Sequence, residues 1–214
     1  MHSSIADIRK EYSLQRLSEK DVDADPVLQF KKWWDHVITS VVEEPNAMTL
    51  ATASKDAVPS ARIVLLKDFN EKGFVFFTNY NSHKGQQLLE NPKASLVFFW
   101  KELERQVRIS GSVSKLSDSE SDEYYDSRPE ESRIGAWVSP QSQVIKDRNW
   151  LDERFKTLYT EMKGTAIKRP PYWGGFIVTP IIIEFWQGRI SRLHDRIQYS
   201  LQENGTWKIQ RLAP

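Results

Sequence analysis

The chain has 214 residues, and its 30 Lys and Arg balance 29 Asp and Glu to a net charge of +1, too even for a dedicated polyanion binder. Cysteine is absent, which removes disulfides, thiolate zinc sites, iron–sulfur clusters and any cysteine nucleophile. With four scattered histidines but 12% aromatic residues, an enzyme built from this chain would take its hard chemistry from a cofactor.

In chain order, residues 1–24 are polar and carry both charges, with a short helix expected around Ile5–Tyr12; they read as a loosely held, mobile arm. No secretory apolar stretch and no run of ~18 apolar residues is present, so a cytoplasmic location is expected. Asp25-Pro26 supplies an N-cap and a first-turn proline. Val27, Phe30, Trp34, Val37, Ile38 and Val41 follow at helical spacing, predicting an amphipathic helix over 26–42.

The period then changes. Met48–Ala53, Ala61–Lys67, Phe74–Thr78, Ala94–Trp100 and Gln106–Val113 are short runs rich in β-branched and aromatic residues. Between the third and fourth, Ser82–Glu90 reads as a helix closed by Asn91-Pro92. A helical insert at about 117–165 follows. Ser117-x-x-Glu120 and Ser127-x-x-Glu130 both fit the capping box, and Leu151, Phe155, Leu158 and Met162 mark a third helix. Strand character returns at Phe176–Thr179, Ile181–Trp186, Arg196–Leu201 and Trp207–Leu212, the last two joined by Asn204-Gly205. Short connections favour an antiparallel meander or barrel, giving one α+β domain over 25–214 with helices outside.

Several clusters carry possible chemistry. Strand alternation points Arg62 and Lys67 opposite ways from an apolar strand. Read alone, they are ordinary charged strand ends. Ser82-His83-Lys84-Gly85 opens a helix, where free N–H groups and the dipole favour an anion, and Thr78 adds a hydroxyl. Arg105, Gln106 and Arg108 form a third polar cluster. Separate small cationic sites suit discrete phosphates better than a nucleic-acid track. Tyr124, Arg128 and Ser132, four apart, share a face on one helix or lie on two short helices meeting near Ser127. Trp186 followed by Arg192-Leu-His-Asp-Arg196 suits a flat anionic heteroaromatic ligand, against readings of Trp186 as core and His194 as a structural partner of Asp195.

In this order the pieces resemble the pyridoxine/pyridoxamine 5′-phosphate oxidase family. The carrying motifs are Ser60-Ala-Arg-Ile-Val-Leu-Leu-Lys67, Glu104-Arg-Gln-Val-Arg108, Ser127-Arg-Pro129, Ile134-Gly-Ala-Trp-Val-Ser139 with Gln141-Ser142, and Ile183-Glu-Phe-Trp-Gln-Gly188 through Arg196. The resemblance implies an antiparallel FMN-binding split barrel with flanking helices, acting as a homodimer with FMN at the interface, with no nucleic-acid or membrane partner. It implies oxidation of pyridoxine or pyridoxamine 5′-phosphate to pyridoxal 5′-phosphate, with oxygen as acceptor and hydrogen peroxide released.

By the same resemblance, Arg62, Ile63, Val64, Leu65, Leu66 and Lys67 line the flavin, and Arg62, His83 and Lys84 hold its phosphate. Phe77, Thr78, Gln106, Gln141, Ser142, Trp186 and Arg196 complete that site. Lys67, Tyr124, Arg128 and Ser132 correspond to the grip on the substrate phosphate. Arg192, Leu193 and His194 correspond to residues over the pyridine ring, with Arg192 and His194 catalytic, and Arg9 and Tyr12 to an arm that closes the site. Position 83 is His where the family often has arginine, which implies a weaker, pH-dependent contact with the cofactor phosphate. A split-barrel flavoprotein acting on another small molecule, or a non-catalytic binding barrel, are the competing readings.

Overall fold

The structure is a computed structural model that describes Ser4, Ile5 and residues 11–214. Arg9 and most of the expected Ile5–Tyr12 helix lie outside the described residues. Nine strands and five α-helices are present among those described. The strands are β1 (Ala47–Ala53), β2 (Pro59–Leu65), β3 (Asp68–Asn70), β4 (Gly73–Asn79), β5 (Lys93–Trp100), β6 (Arg105–Lys115), β7 (Trp173–Gln187), β8 (Asp195–Leu201) and β9 (Trp207–Arg211). The helices are α1 (Pro26–Val37), α2 (His83–Glu90), α3 (Asp118–Asp126), α4 (Glu130–Val138) and α5 (Arg148–Met162). Hydrogen bonding runs β2-β1-β5-β6-β7-β4-β3, with β8 on β7 and β9 on β8. The fold is an antiparallel α+β half-barrel, as expected. No helix among the described residues is long and apolar enough to cross a membrane.

The chain divides into two compact units, each discontinuous in sequence. The first comprises Met1–Leu50, Ser95–Gly111 and Pro180–Pro214. In it the Asp25 side chain accepts from the Val27 and Leu28 N–H groups at 2.7 and 3.2 Å and starts α1. The helix ends at Val37 rather than at 42. The Thr39 and Ser40 hydroxyls donate back to the His36 and Val37 carbonyls, an alternative to helix continuation, and Val41 is exposed. Phe30 and Trp33 of α1 pack on Phe98, Trp100 and Phe185. β8 pairs with β7 from Ile182↔Ser200 to Gln187↔Asp195. β9 then returns through a five-residue connection closed by the Gln202 N–H on the Thr206 carbonyl, with Gly205 at φ +80°. Asn204-Gly205 thus sits inside a longer hairpin loop instead of forming a two-residue turn. The described part of the expected arm is anchored here: Leu17 is buried, and the Tyr199 hydroxyl donates to the Asp23 carbonyl at 2.7 Å.

The second unit comprises Ala51–Ala94 and Ser112–Thr179. β4 pairs with β7 from Phe74↔Val178 to Asn79↔Trp173. The two strands expected around Pro180 are one continuous strand. Pro180 is tolerated because the β4 register covers 173–178 and the β8 register starts at 182, so the missing N–H falls where partners change. Ser117 and Glu120 form the expected capping box. Ser127 does not: it is the C-cap of α3, its hydroxyl donates to the Tyr124 carbonyl, and Pro129 is the N-cap of α4. Tyr125, Ile134, Val138, Ile167 and Trp173 form the helical core, with Leu151, Phe155, Leu158 and Met162 of α5 against it.

Candidate active site

The second unit holds a cavity of about 650 Å³, a size ordinary for a small-molecule site. One wall comes from β2 and the residues after it. β2 stops at Leu65, and the Lys67 N–H bonds to the Val75 carbonyl at 2.9 Å. Ile63, Val64, Leu65 and Lys67 all line the cavity, whereas Leu66 is core, so strict alternation does not sort this segment. Arg62 is turned to polar neighbours, with Nη1 donating to Thr52 Oγ1 and Nη2 to Ser60 Oγ, each at 2.6 Å.

At the Lys84 end, Ser82 caps α2 by accepting from the Gly85 N–H. Gly85 is needed there, because a Cβ would lie 2.3 Å from the Tyr80 carbonyl oxygen. Lys84 Nζ donates to Thr78 Oγ1, Ser82 Oγ and Gln141 Oε1 at 3.2, 3.4 and 3.3 Å. Burial, then the positive charge of Arg62, holds the Lys84 ammonium below the usual lysine range. A desolvated cation among neutral oxygens, repelled by a second cation, fits a phosphate. His83 and Ser142 do not line this cavity.

On the same cavity, α3 and α4 meet at Ser127–Pro129, the two-helix arrangement, and bring Tyr124, Arg128 and Ser132 to its lining. The Phe77, Tyr124 and Trp173 rings are nearly parallel, with Phe77–Tyr124 centroids 3.9 Å apart. The Arg128 guanidinium lies over Trp173 at 4.7 Å, and its Nη1 is buried without a hydrogen-bond partner among the described residues. Burial holds the Arg128 guanidinium below the usual arginine range. An unsatisfied buried guanidinium nitrogen is costly unless an anion completes it. Trp173, Asn79 and Ser139 also line the cavity, and no sequence motif marks them as doing so. Nothing separates Trp173 in sequence from a core tryptophan; its role depends on the three-ring stack.

In the first unit, Tyr12, Trp186 and His194 form an aromatic group: Trp186–His194 centroids are 4.6 Å apart, Tyr12–Trp186 5.7 Å and Tyr12–His194 5.9 Å. Trp186 is half-buried here rather than core. His194 is not the partner of Asp195. Its Nδ1 accepts the Arg189 N–H at 3.1 Å, so the neutral ring carries its proton on Nε2. Burial, then Arg192, holds the imidazole below its usual range. Ser191 and Arg192 sit at φ +54° and +60°, a strained pair that leaves Arg192 and Leu193 exposed.

Both arginines of the Arg105–Arg108 cluster are engaged by side chains of this unit. Arg105 is buried and donates to Gln187 Oε1 at 3.0 Å, and Arg108 pairs with Glu184 at 3.2 Å. Gln106, between them, is half-buried. Arg196 makes a two-point pair with the same Glu184, at 2.8 and 3.1 Å, so it has a structural partner that the sequence reading did not assign.

Residues 35–161 match the family model described as pyridoxamine 5′-phosphate oxidase. Residues 173–214 match the one described as the pyridoxine 5′-phosphate oxidase C-terminal dimerisation region. The chain is 60% identical over 214 residues to the pyridoxine/pyridoxamine 5′-phosphate oxidase of Nostoc punctiforme, covering 100% of both chains. It is 53% identical over 212 residues to that of Cupriavidus pinatubonensis, covering 99% of this chain and 100% of the other. PhzG of Burkholderia lata, solved in complex with tetrahydrophenazine-1-carboxylic acid, superposes with a TM-score of 0.88 at 32% identity, over 94% of this chain and 100% of its own. A pyridoxamine 5′-phosphate oxidase-related, FMN binding protein of Nostoc punctiforme shares the fold, with a TM-score of 0.66 at 15% identity over 92% and 98% of the two chains.

Proposed function

The chain belongs to the pyridoxine/pyridoxamine 5′-phosphate oxidase family of FMN-dependent oxidoreductases, and on that premise we propose the reaction and the role of each residue. The enzyme oxidises the 4′ carbon of pyridoxine 5′-phosphate or pyridoxamine 5′-phosphate to the aldehyde, pyridoxal 5′-phosphate. Oxygen is the acceptor and hydrogen peroxide is released; with the amine, water is also consumed and ammonia leaves. The observation that carries this reading is the buried Nη1 of Arg128, without a hydrogen-bond partner among the described residues, on a cavity that also holds the desolvated ammonium of Lys84. One cavity with two separate demands for an anion suits a phosphorylated substrate beside a phosphorylated cofactor.

Lys84, Thr78 and Gln141 fit the FMN phosphate, with Arg62 reinforcing the charge, and Ile63, Val64 and Leu65 supply apolar surface. FMN, when bound, supplies the hydride acceptor. Arg128, Lys67, Tyr124 and Ser132 bind the substrate phosphate and so fix the position of the 4′ carbon. Tyr12, Trp186 and His194 present ring faces to a heteroaromatic substrate, His194 Nε2 donates a hydrogen bond, and Arg192 orients the ring by charge. The match of residues 173–214 to a dimerisation region supports a homodimer, and the exposed Ile181, Ile182 and Leu201 lie in that stretch. A cytoplasmic location accompanies this reading.

The test is the absorption spectrum of purified protein under anaerobic conditions. Flavin absorption that bleaches on adding pyridoxine 5′-phosphate and returns with air, with peroxide formed one-for-one with aldehyde, is the expected result. Flavin that stays oxidised would overturn the substrate assignment, and protein that takes up no FMN would overturn the cofactor site.

A further inference from the structure

We infer that Glu104 is a positioning residue, a buried clamp that fixes the backbone after Tyr12 and thereby sets the Tyr12 ring against Trp186 and His194. The inference rests on the reading of those three rings as the substrate-facing group. Glu104 follows a short 3-10 turn at Lys101–Leu103, adopts a left-handed conformation (φ +54°), and is buried. Its side chain and its backbone serve different segments. Oε2 accepts the Ser13 N–H at 2.8 Å and the Leu14 N–H at 3.1 Å. The backbone carbonyl accepts the Gly188 N–H at 2.7 Å and Gln187 Nε2 at 3.2 Å. One residue therefore ties residues 13–14 to the end of β7, where the chain enters the loop carrying Arg192 and His194.

The neighbours fit the same role. Arg105 reaches the arm through Gln15 Oε1 and the strand through Gln187 Oε1. Gly188 leaves room for the arm: a Cβ there would lie 2.7 Å from Tyr12 Cβ and Cγ and 3.0 Å from Glu104 Cβ. Hydrogen bonds to an ionised acceptor are among the strong ones. A carboxylate at this depth that loses its N–H donors is left poorly solvated, which favours the docked arm. In a chain with an unusually polar N-terminal segment, Glu104 supplies a fixed point for it that does not depend on apolar burial.

The test compares full-length wild type, Glu104→Ala, Glu104→Gln and Gly188→Ala. Amide hydrogen exchange is followed over residues 11–17, with flavin content and steady-state kinetics on pyridoxine 5′-phosphate measured alongside. Glu104→Ala should speed exchange at Ser13 and Leu14 by about tenfold or more. It should raise KM by about tenfold while flavin content and kcat change little. Glu104→Gln keeps an acceptor oxygen and should restore most of the protection and the KM. Gly188→Ala, which keeps the carboxylate, should release the same amides by crowding Tyr12. Unchanged exchange in Glu104→Ala, or faster exchange with an unchanged KM, overturns the proposal. If Glu104→Ala does not fold, Glu104→Asp, whose shorter side chain draws the carboxylate back from the Ser13 and Leu14 N–H groups, decides by the same two readouts. A wild type inactive on this substrate would refute the proposed reaction, while the exchange data would still report on the clamp.

Discussion

The guanidinium carbon of Arg128 lies over Trp173, 4.7 Å from the ring centroid, while its Nη1 is buried without a hydrogen-bond partner among the described residues. The tryptophan face holds the cation without using its hydrogen-bonding capacity, which leaves that capacity for a ligand. Arg128→Ala should raise the KM for pyridoxine 5′-phosphate by about a hundredfold, the scale of one or two hydrogen bonds to a charged group, and leave flavin content unchanged. Trp173→Leu, with Arg128 intact, should raise it about tenfold or less. Lost flavin with an unchanged KM would reassign Arg128 to the cofactor.

Lys84 should separate cofactor affinity from stability. Its ammonium is half-buried and held below its usual range by burial and Arg62, so charge there opposes folding in the flavin-free protein. Lys84→Met should weaken FMN binding by at least about tenfold yet leave the melting temperature of flavin-free protein equal or higher. Fluorescence titration with FMN and thermal melts of the same preparation check both halves.

His194 gives a signed pH prediction. Its folded-state pKa lies below the ordinary 6.5 because of burial and Arg192. As pH falls from neutrality, the unfolded chain therefore takes up the proton first. The stability contributed by the neutral ring is complete above 6.5 and is lost through the window from 6.5 down to the folded pKa. Protonation also removes the Nδ1 lone pair that accepts the Arg189 N–H. Between pH 7 and about 5, wild type should lose more thermal stability than His194→Gln. Equal losses would show that this histidine is not held neutral.

Arg196 illustrates how a residue legible as functional acquires a second role in three dimensions. Its partner Glu184 is a buried carboxylate, with 5% side-chain exposure, shared with Arg108. Removing Arg196 strips that carboxylate of its two-point partner, and breaking a buried pair costs about 3 kcal/mol. Arg196→Ala should lower the melting temperature markedly, whereas Arg192→Ala, at an exposed position, should not. Equal melting temperatures would confine Arg196 to ligand binding.

What the chain discloses in one dimension follows the range of the interaction. Local rules placed nearly every element: Asp25-Pro26 and Ser117–Glu120 start helices as their side-chain chemistry requires. The misplacements arose where tertiary context competes with a local signal. Ser127 fits a capping box in sequence yet closes the preceding helix, and Pro180 reads as a strand break until the change of pairing partners is known. The cationic residues of the cavity were legible through their order along the chain. Trp173, Glu184 and Glu104 were not, because each acts through a neighbour far away in sequence, and no periodicity encodes that neighbour.

Arg192 should divide stability from turnover at one position. It sits at φ +60° directly after Ser191 at φ +54°, two non-glycine residues in the left-handed region, each costing on the order of 1 kcal/mol. Glycine adopts that backbone freely, so Arg192→Gly relieves strain while deleting the guanidinium. The added freedom of glycine in the unfolded chain offsets part of the gain, and the net change should lie within about 1 kcal/mol of wild type, where a surface substitution normally falls. Turnover should drop about a hundredfold or more if the charge orients the substrate ring, with flavin content intact. Arg192→Lys, which keeps the charge but not the planar fork, should recover only part of it. Wild-type kcat in Arg192→Gly would remove Arg192 from the reaction and leave its strained backbone without a catalytic purpose.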